Sequence, residues 1–194
     1  NEIGLFRMTD GGLEEVDNPS ELFLAGGEAQ SSGSLITAAV EGSRVILVEV
    51  QALTTTAGFG APKRKVSGAD AARVSMIIAV LEKRAGLGLA DQDVFVNVVG
   101  GVRLVEPSAD LAIALAIAGA FTDRLAPERA IAIGEVGLGG ELRAVGQFDQ
   151  RLSEGEKLGF AHAILPAAAA SSISNSRLTL HPCKRLDEAI ECLT

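Results

Sequence analysis

A chain of 194 residues suits one domain with a small appendage, and 47% hydrophobic content is ample for a sizeable core. With seven Phe and neither Trp nor Tyr, that core has to be built from Ala, Val, Leu and Ile. A formal net charge of −8 excludes a basic footprint over the whole surface, so any contact with nucleic acid has to be local. The longest apolar stretch, 111–121, is too short to span a bilayer. The first residues lack the profile of a signal peptide, and the absence of an initiator Met suggests an excised fragment. Cys183 and Cys192 form no CxxC pair, which argues against zinc and for a reducing, cytoplasmic compartment.

In chain order, 3–8 and 12–16 flank the turn signal Thr9-Asp10-Gly11 and predict a short β-hairpin. Asn18-Pro19-Ser20-Glu21 predicts a helical turn. Residues 25–33 are small, polar and Gly/Ser-rich, so a boundary is placed between 1–33 and 34–194. Runs 35–41 and 44–52 predict a second hairpin, and 54–68 a loop. Residues 69–84 predict a helix with Val74, Ile77, Ile78 and Leu81 on one face. Residues 93–99 have little polarity and predict a central strand. After a loop, 108–120 predict a helix apolar almost all round and therefore internal. A buried strand at 130–133 precedes a hairpin, 136–138 with 141–145, about Gly139-Gly140. A helix at 148–158, short strands at 163–165 and 178–180, and a helix at 186–193 close the chain, while 167–176 say little. Strands and helices interleave without a strict βαβ repeat, so the expectation is a mixed α/β (α+β) fold with sheets packed by helices.

Familiar catalytic devices are missing. There is no GxxxxGK[ST] to cradle a nucleotide phosphate and no HExxH. His162 precedes a predicted buried strand and His181 precedes Pro182, so both read as structural. Two stretches do carry chemistry. In "GGVRLVEPSADLAIALA", Ser108 opens a buried helix, either as a cap for a free N–H or as a nucleophile near a helix N-terminus. In "GEVGLGGELRAVGQFDQRL", a hairpin leads into a helix whose first turns carry Arg151. The densest positive run is Lys63, Arg64 and Lys65, either a solvated loop or a set of phosphate contacts, which Arg73, Lys83 and Arg84 on the next helix would widen.

Together and in this order, the two stretches resemble the proteolytic domain of the Lon protease family. That family opens a helix with a "PSAG" nucleophile segment and places its catalytic Lys beyond a Gly-rich hairpin. Ser108 occupies the nucleophile position, and Arg151 falls where the family has Lys. "NEIGLFRM", "NPSELFL", "EGSRVILVEVQAL" and "GEVGLGGELR" further resemble the C-terminal Lon-protease-like domain of the RadA (Sms) family of bacterial DNA repair proteins. The resemblance implies a homo-hexameric ATPase of the branch-migration helicase type, with partners in DNA (single-stranded or branched) and a recombinase of the RecA type. It also implies ATP, magnesium and a four-cysteine zinc finger, all in domains absent from this sequence, and no cofactor within it. Residues 1–33 would be the final hairpin and linker of a RecA-like core, and 34–194 the Lon-like domain.

A Ser–Lys dyad works because a desolvated Lys loses its proton and then accepts the Ser proton. A guanidinium does not release its proton in proteins, so Arg151 can hold Ser108 but not activate it. Lys157 faces elsewhere on the helix. Asp110 stands where the Lon motif has Gly, and an added carboxylate there is expected to repel an oxyanion. The expectation is a non-proteolytic domain with no catalytic residue, Ser108 and Arg151 being vestigial, and with Lys63, Arg64, Lys65, Arg73 and Arg84 as candidate DNA contacts. The alternatives are a divergent Lon-type serine peptidase, resting on Ser108 alone, and a Lon-fold regulatory domain of a magnesium-chelatase-like ATPase.

Overall fold

A computed structural model of the chain describes residues 6–9, 11–15, 31–42, 44–58, 60–173 and 175–194. The first hairpin forms as expected: β1 (Phe6–Thr9) pairs antiparallel with β2 (Gly12–Glu15), with Thr9 opposite Gly12. The helical turn expected at 18–21 and most of the expected linker lie outside the described residues.

Further strands make a seven-stranded main sheet with a small companion hairpin. They are β3 (Ser34–Glu41), β4 (Arg44–Thr56), β5 (Arg64–Ser67), β6 (Gln92–Val98), β7 (Ala130–Ala132), β10 (His162–Pro166) and β11 (Thr179–Cys183) in the order β11-β10-β7-β3-β4-β6-β5, beside the two-stranded β8 (Glu135–Val136) and β9 (Leu142–Arg143). Pairing is parallel except where β4 meets β3 and β6. The helices are α1 (Ala71–Ala85), α2 (Asp110–Thr122), α3 (Phe148–Lys157), α4 (Ala167–Ala170) and α5 (Leu186–Ile190). The fold is mixed α/β with a mostly parallel sheet, as the interleaved pattern predicts.

The sequence explains where the helices sit. In α2, built of Ala, Ile and Leu, every residue from Asp110 to Gly119 is buried, because it lies between the sheet and helices α1 and α5. Asp70 caps α1 by accepting from the Arg73 N–H, and Gly86 ends it in a left-handed conformation. The two helices cover one sheet face through Val48, Val50, Val74, Leu81, Val94, Val96, Leu111 and Leu115. On the other face, α3 closes a second core through Ala38, Leu47, Ile131, Ile133, Phe148 and Leu152. That second cover ends at the start of β4, so among the described residues no helix packs on this side of the far part of β4, β6 and β5.

Two expectations need correction. Residues 54–68 are not all loop: β4 runs to Thr56, and β5 lies parallel to β6, with Lys65 opposite Phe95. Nor is β6 central, since only β5 separates it from the edge. Its low polarity is an alternation in which Val94, Val96 and Val98 enter the core while Phe95 and Asn97 face away.

Candidate functional site

Helix α2 does not begin at Ser108. A 3-10 turn, Pro107–Ala109, comes first, and the position before the helix, Ala109, makes no side-chain cap. The expected cap by Ser108 is therefore absent. The first amides are paired with backbone carbonyls instead: Asp110 N–H donates to Pro107 O and Leu111 N–H to Gly134 O at 3.1 Å. These two amides are unavailable to an oxyanion.

Ser108 is 1% exposed and Arg151 3%. The positive φ at Gln147 turns the chain into α3, which points the Arg151 guanidinium inward toward β3. There Arg151 meets acceptors from four segments. Its Nε donates to Gly146 O at 3.0 Å, Nη1 to Glu106 Oε1 at 2.9 Å and Ser108 Oγ at 3.1 Å, and Nη2 to Glu106 Oε2 at 2.7 Å. Nη1 also donates to Ala38 O on β3. Glu106 in turn accepts the Val40 N–H at 2.7 Å, so the guanidinium–carboxylate fork joins β3, the loop before α2, and α3. Burial pushes the Glu106 carboxyl up, but the Arg151 hydrogen bond, the Val40 N–H, the guanidinium charge and the Ser108 hydroxyl outweigh it and hold Glu106 below its usual range. The Ser108 proton is thus directed at a carboxylate whose negative charge is already shared with a cation.

Ser108 thus has a hydroxyl sealed from solvent, a guanidinium in place of a base, and beside it two helix amides already paired with carbonyls. This arrangement ties the segments together. Asp110 does not act as expected either. Its carboxylate accepts Arg73 Nε and Nη2, both at 2.5 Å, and the Val136 N–H at 3.1 Å, so a guanidinium neutralises it. The hydrogen bond to Asp110 raises the Arg73 pKa. Glu106 is a functional residue that the motifs alone did not single out, although a carboxylate just before Pro107-Ser108 was the signal for a buried cation at 151.

A pH dependence follows from Glu106. Its folded pKa lies below its ordinary value near 4.5, so the stability it contributes is present above that pH and is lost as pH falls through the folded value. Urea midpoints of the wild type and Glu106→Gln, taken between pH 7 and pH 3, are expected to converge as the medium is acidified below the ordinary value near 4.5. A gap that stays constant down to pH 3 contradicts the pairing.

The other candidates lie apart from this knot. His162 Nδ1 and His181 Nε2 are 3.1 Å apart on β10 and β11. Pro166, at the opposite end of β10, is the residue that packs on Gly134 near Ser108, so neither His belongs to a triad with Ser108. Lys157 pairs with Glu154 at 3.5 Å on the exposed side of α3, as its spacing predicts. Cys183 and Cys192 are free thiols in contact. The interaction between the two thiols lowers the Cys192 pKa to about 7, and that interaction together with burial pushes Cys183 up. Alkylation by iodoacetamide, followed by peptide mapping, is expected to rise through about pH 7 at Cys192 and to lag at Cys183; equal rates at both contradict the assignment.

The structure divides the five basic candidates. Arg64 turns inward, donating to Leu89 O at 3.0 Å and to Gln92 O. Arg73 is taken up by Asp110, and Arg84 reaches Leu138 O at 3.4 Å. Val66 packs into the α1–α2 core, so Lys65, its neighbour on β5, projects from the opposite face of the sheet from Arg73 and Arg84. Lys63 and Lys65 are exposed and make no side-chain bond or ion pair among the described residues. No group of three or more His, Cys, Asp or Glu converges to hold a metal among the described residues. No helix among them is long and apolar enough to cross a membrane.

Comparison with known proteins gives a consistent family. A family model described as subunit ChlI of Mg-chelatase matches residues 48–169. A protein named DNA repair protein RadA from Bacillus subtilis is 52% identical over 168 residues, covering 87% of this chain and 37% of that protein. The protein of the same name from Halalkalibacterium halodurans is 49% identical over 166 residues, 86% of this chain and 36% of its own length. That from Escherichia coli is 44% identical over 190 residues, 98% of this chain and 41% of its own length. The chain thus spans about two fifths of the curated relatives it matches.

Proposed function

Because the chain belongs to the family described as subunit ChlI of Mg-chelatase and is RadA-like over nearly all its length, we propose that it is a non-proteolytic scaffold domain of a DNA repair protein. It keeps the architecture of a Lon-type protease domain, oligomerises, and contacts DNA. ATP, magnesium and zinc are assigned to parts of the protein outside this chain, and ring formation and a RecA-type recombinase partner go with them. The observation that carries the non-proteolytic reading is the closed Ser108–Arg151–Glu106 knot.

Lys63 and Lys65 are the phosphate contacts of this reading, and the other three cations serve the fold. In a ring, weak contacts are multiplied across protomers. With the full-length protein, Lys63→Ala/Lys65→Ala is expected to weaken DNA binding and to flatten its dependence on salt by roughly 0.7–0.9 logarithmic units for each phosphate no longer neutralised. Unchanged affinity and unchanged salt slope would show that both lysines are only solvated. Light scattering of this chain is expected to give the mass of a hexamer; a monomer would place the ring-forming contacts elsewhere.

The family description supports a second reading, a regulatory domain on a chelatase-like ATPase. The same DNA titration separates the two, since that reading predicts no salt-sensitive DNA binding.

A further inference from the structure

Pairing register brings an unusual set of side chains together on the open sheet face. Across β4, β6 and β5, Leu53 lies opposite Phe95, and Phe95 opposite Lys65. In the next row on the same face, Gln51 lies opposite Asn97, and Asn97 opposite Ser67. Neighbouring strands are spaced at about 4.8 Å, so each row is a continuous strip. The strips floor a groove of about 600 Å³, walled at one end by Ser31 and Ser32.

Phe95 is the telling residue in a chain with few aromatics. Phe121, Phe148 and Phe160 all pack into one of the two cores, whereas Phe95 joins neither. Its neighbour Leu53 is 62% exposed, a large apolar side chain on a face that no helix among the described residues covers. Beside this apolar strip stand an amide pair and a hydroxyl, and Lys65 at the edge has no carboxylate partner among the described residues. Among the described residues, two acids share the face. Asp93 is buried and accepts the Lys63 N–H at 2.7 Å, and Glu49 accepts from Ser34 and Gln51. Neither lies in the two rows.

We propose that this face binds unpaired bases of single-stranded DNA, with Phe95 and Leu53 as the stacking floor. Asn97, Gln51 and Ser67 meet the polar base edges, and Lys65, with Lys63 beyond it, meets the phosphates. The proposal rests on the DNA-contact reading above and gives it a strand type and a site. A half-buried aromatic beside an exposed leucine, flanked by amides and a cation on one sheet face, is a platform of the kind on which bases stack with weak sequence preference. A second copy of the chain fits less well. A stable dimer takes about 20–30 residues a side around a dry apolar centre, and here the apolar strip is two side chains wide.

The test uses full-length protein and a fluorescein-labelled 15-nucleotide oligo(dT), with a duplex of the same length as control. Phe95→Leu keeps the apolar volume and removes the ring. It is expected to weaken oligo(dT) binding about tenfold while leaving duplex binding within twofold and the melting temperature unchanged. Asn97→Ala, on an exposed amide, is the second variant and is expected to weaken oligo(dT) in the same selective way. A 5-iodouracil oligonucleotide is expected to photocrosslink at Phe95. If Lys63→Ala/Lys65→Ala weakens binding while both face variants bind oligo(dT) normally and no crosslink reaches β6, DNA contact stands and the sheet-face site is wrong. If the face variants change the oligomeric mass but not the affinity of the remaining oligomer, the face is a protomer interface and the proposal is overturned. If the face variants lose oligo(dT) selectively and the lysine variant does not, the site stands and the phosphate assignment fails.

Discussion

Arg151→Met is expected to lower the melting temperature of this chain by roughly 6–12 °C. The substitution keeps the volume of the stem and deletes every donor. Glu106 then loses its fork and Ser108 its donor, while the carbonyls of Ala38 and Gly146 lose theirs in a nearly closed site. Removing one member of a buried pair costs about 3–5 kcal/mol, and the lower end applies because the Glu106 side chain is 26% exposed. In a domain of this size each kcal/mol is worth about 2–4 °C. Arg151→Lys restores a charge but not the planar fork, and is expected to recover only part of the loss. Glu106→Gln/Arg151→Met is expected to melt above Arg151→Met alone, since it no longer leaves a carboxylate unpaired. Calorimetry on the four proteins measures all of this, and a drop under about 2 °C for Arg151→Met contradicts a structural role.

Gly33→Ala is expected to be nearly as damaging, by about 2–4 kcal/mol. The residue has φ +89°, where an L side chain is strained, and a Cβ there would sit 2.4 Å from Ala52 O and 2.9 Å from the Ala120 Cβ. The Gly33 carbonyl also accepts the Ala52 N–H at 2.7 Å, so the local backbone cannot retreat without losing the start of the β3–β4 pairing. A midpoint in urea within about 0.2 M of the wild type would mean that this turn adapts at little cost.

Gly33 also shows where the sequence misleads. It ends a Gly/Ser-rich run that reads as a linker, yet it packs against β4 and α2, because a small residue at a close backbone approach looks the same in one dimension as a flexible one. The strands and helices with strong periodicity were legible: β3, β4, α1, α2 and the β8–β9 hairpin stand where their patterns put them, within a few residues at the ends. The strand β5 was not, because Arg64-Lys65-Val66-Ser67 carries one apolar residue and owes its conformation to pairing with β6. At the site, Ser108 and Arg151 were legible as a pair, and the structure joins them at 3.1 Å. The inward turn of Arg64 was not legible, because it depends on which backbone carbonyls the tertiary fold brings within reach, and Glu106 left only the signal of its place before Pro107-Ser108. Asp110 shows the same limit: its neighbour in sequence suggested a repulsive charge, and its neighbour in space, Arg73, cancels it.

The proposal that Ser108 belongs to a sealed ion-pair knot and not to a working dyad is tested most directly at Ser108 itself. Wild-type protein and Arg151→Lys are incubated with a serine-reactive fluorophosphonate and, in parallel, with unfolded casein, and the labelled protein is mapped by mass spectrometry. With Ser108 1% exposed and its hydroxyl bonded to a residue 151 side chain that Glu106 also holds, neither protein is expected to carry label at Ser108 or to release casein peptides. Stoichiometric labelling of Ser108 in the wild type, together with peptide release, would contradict the account.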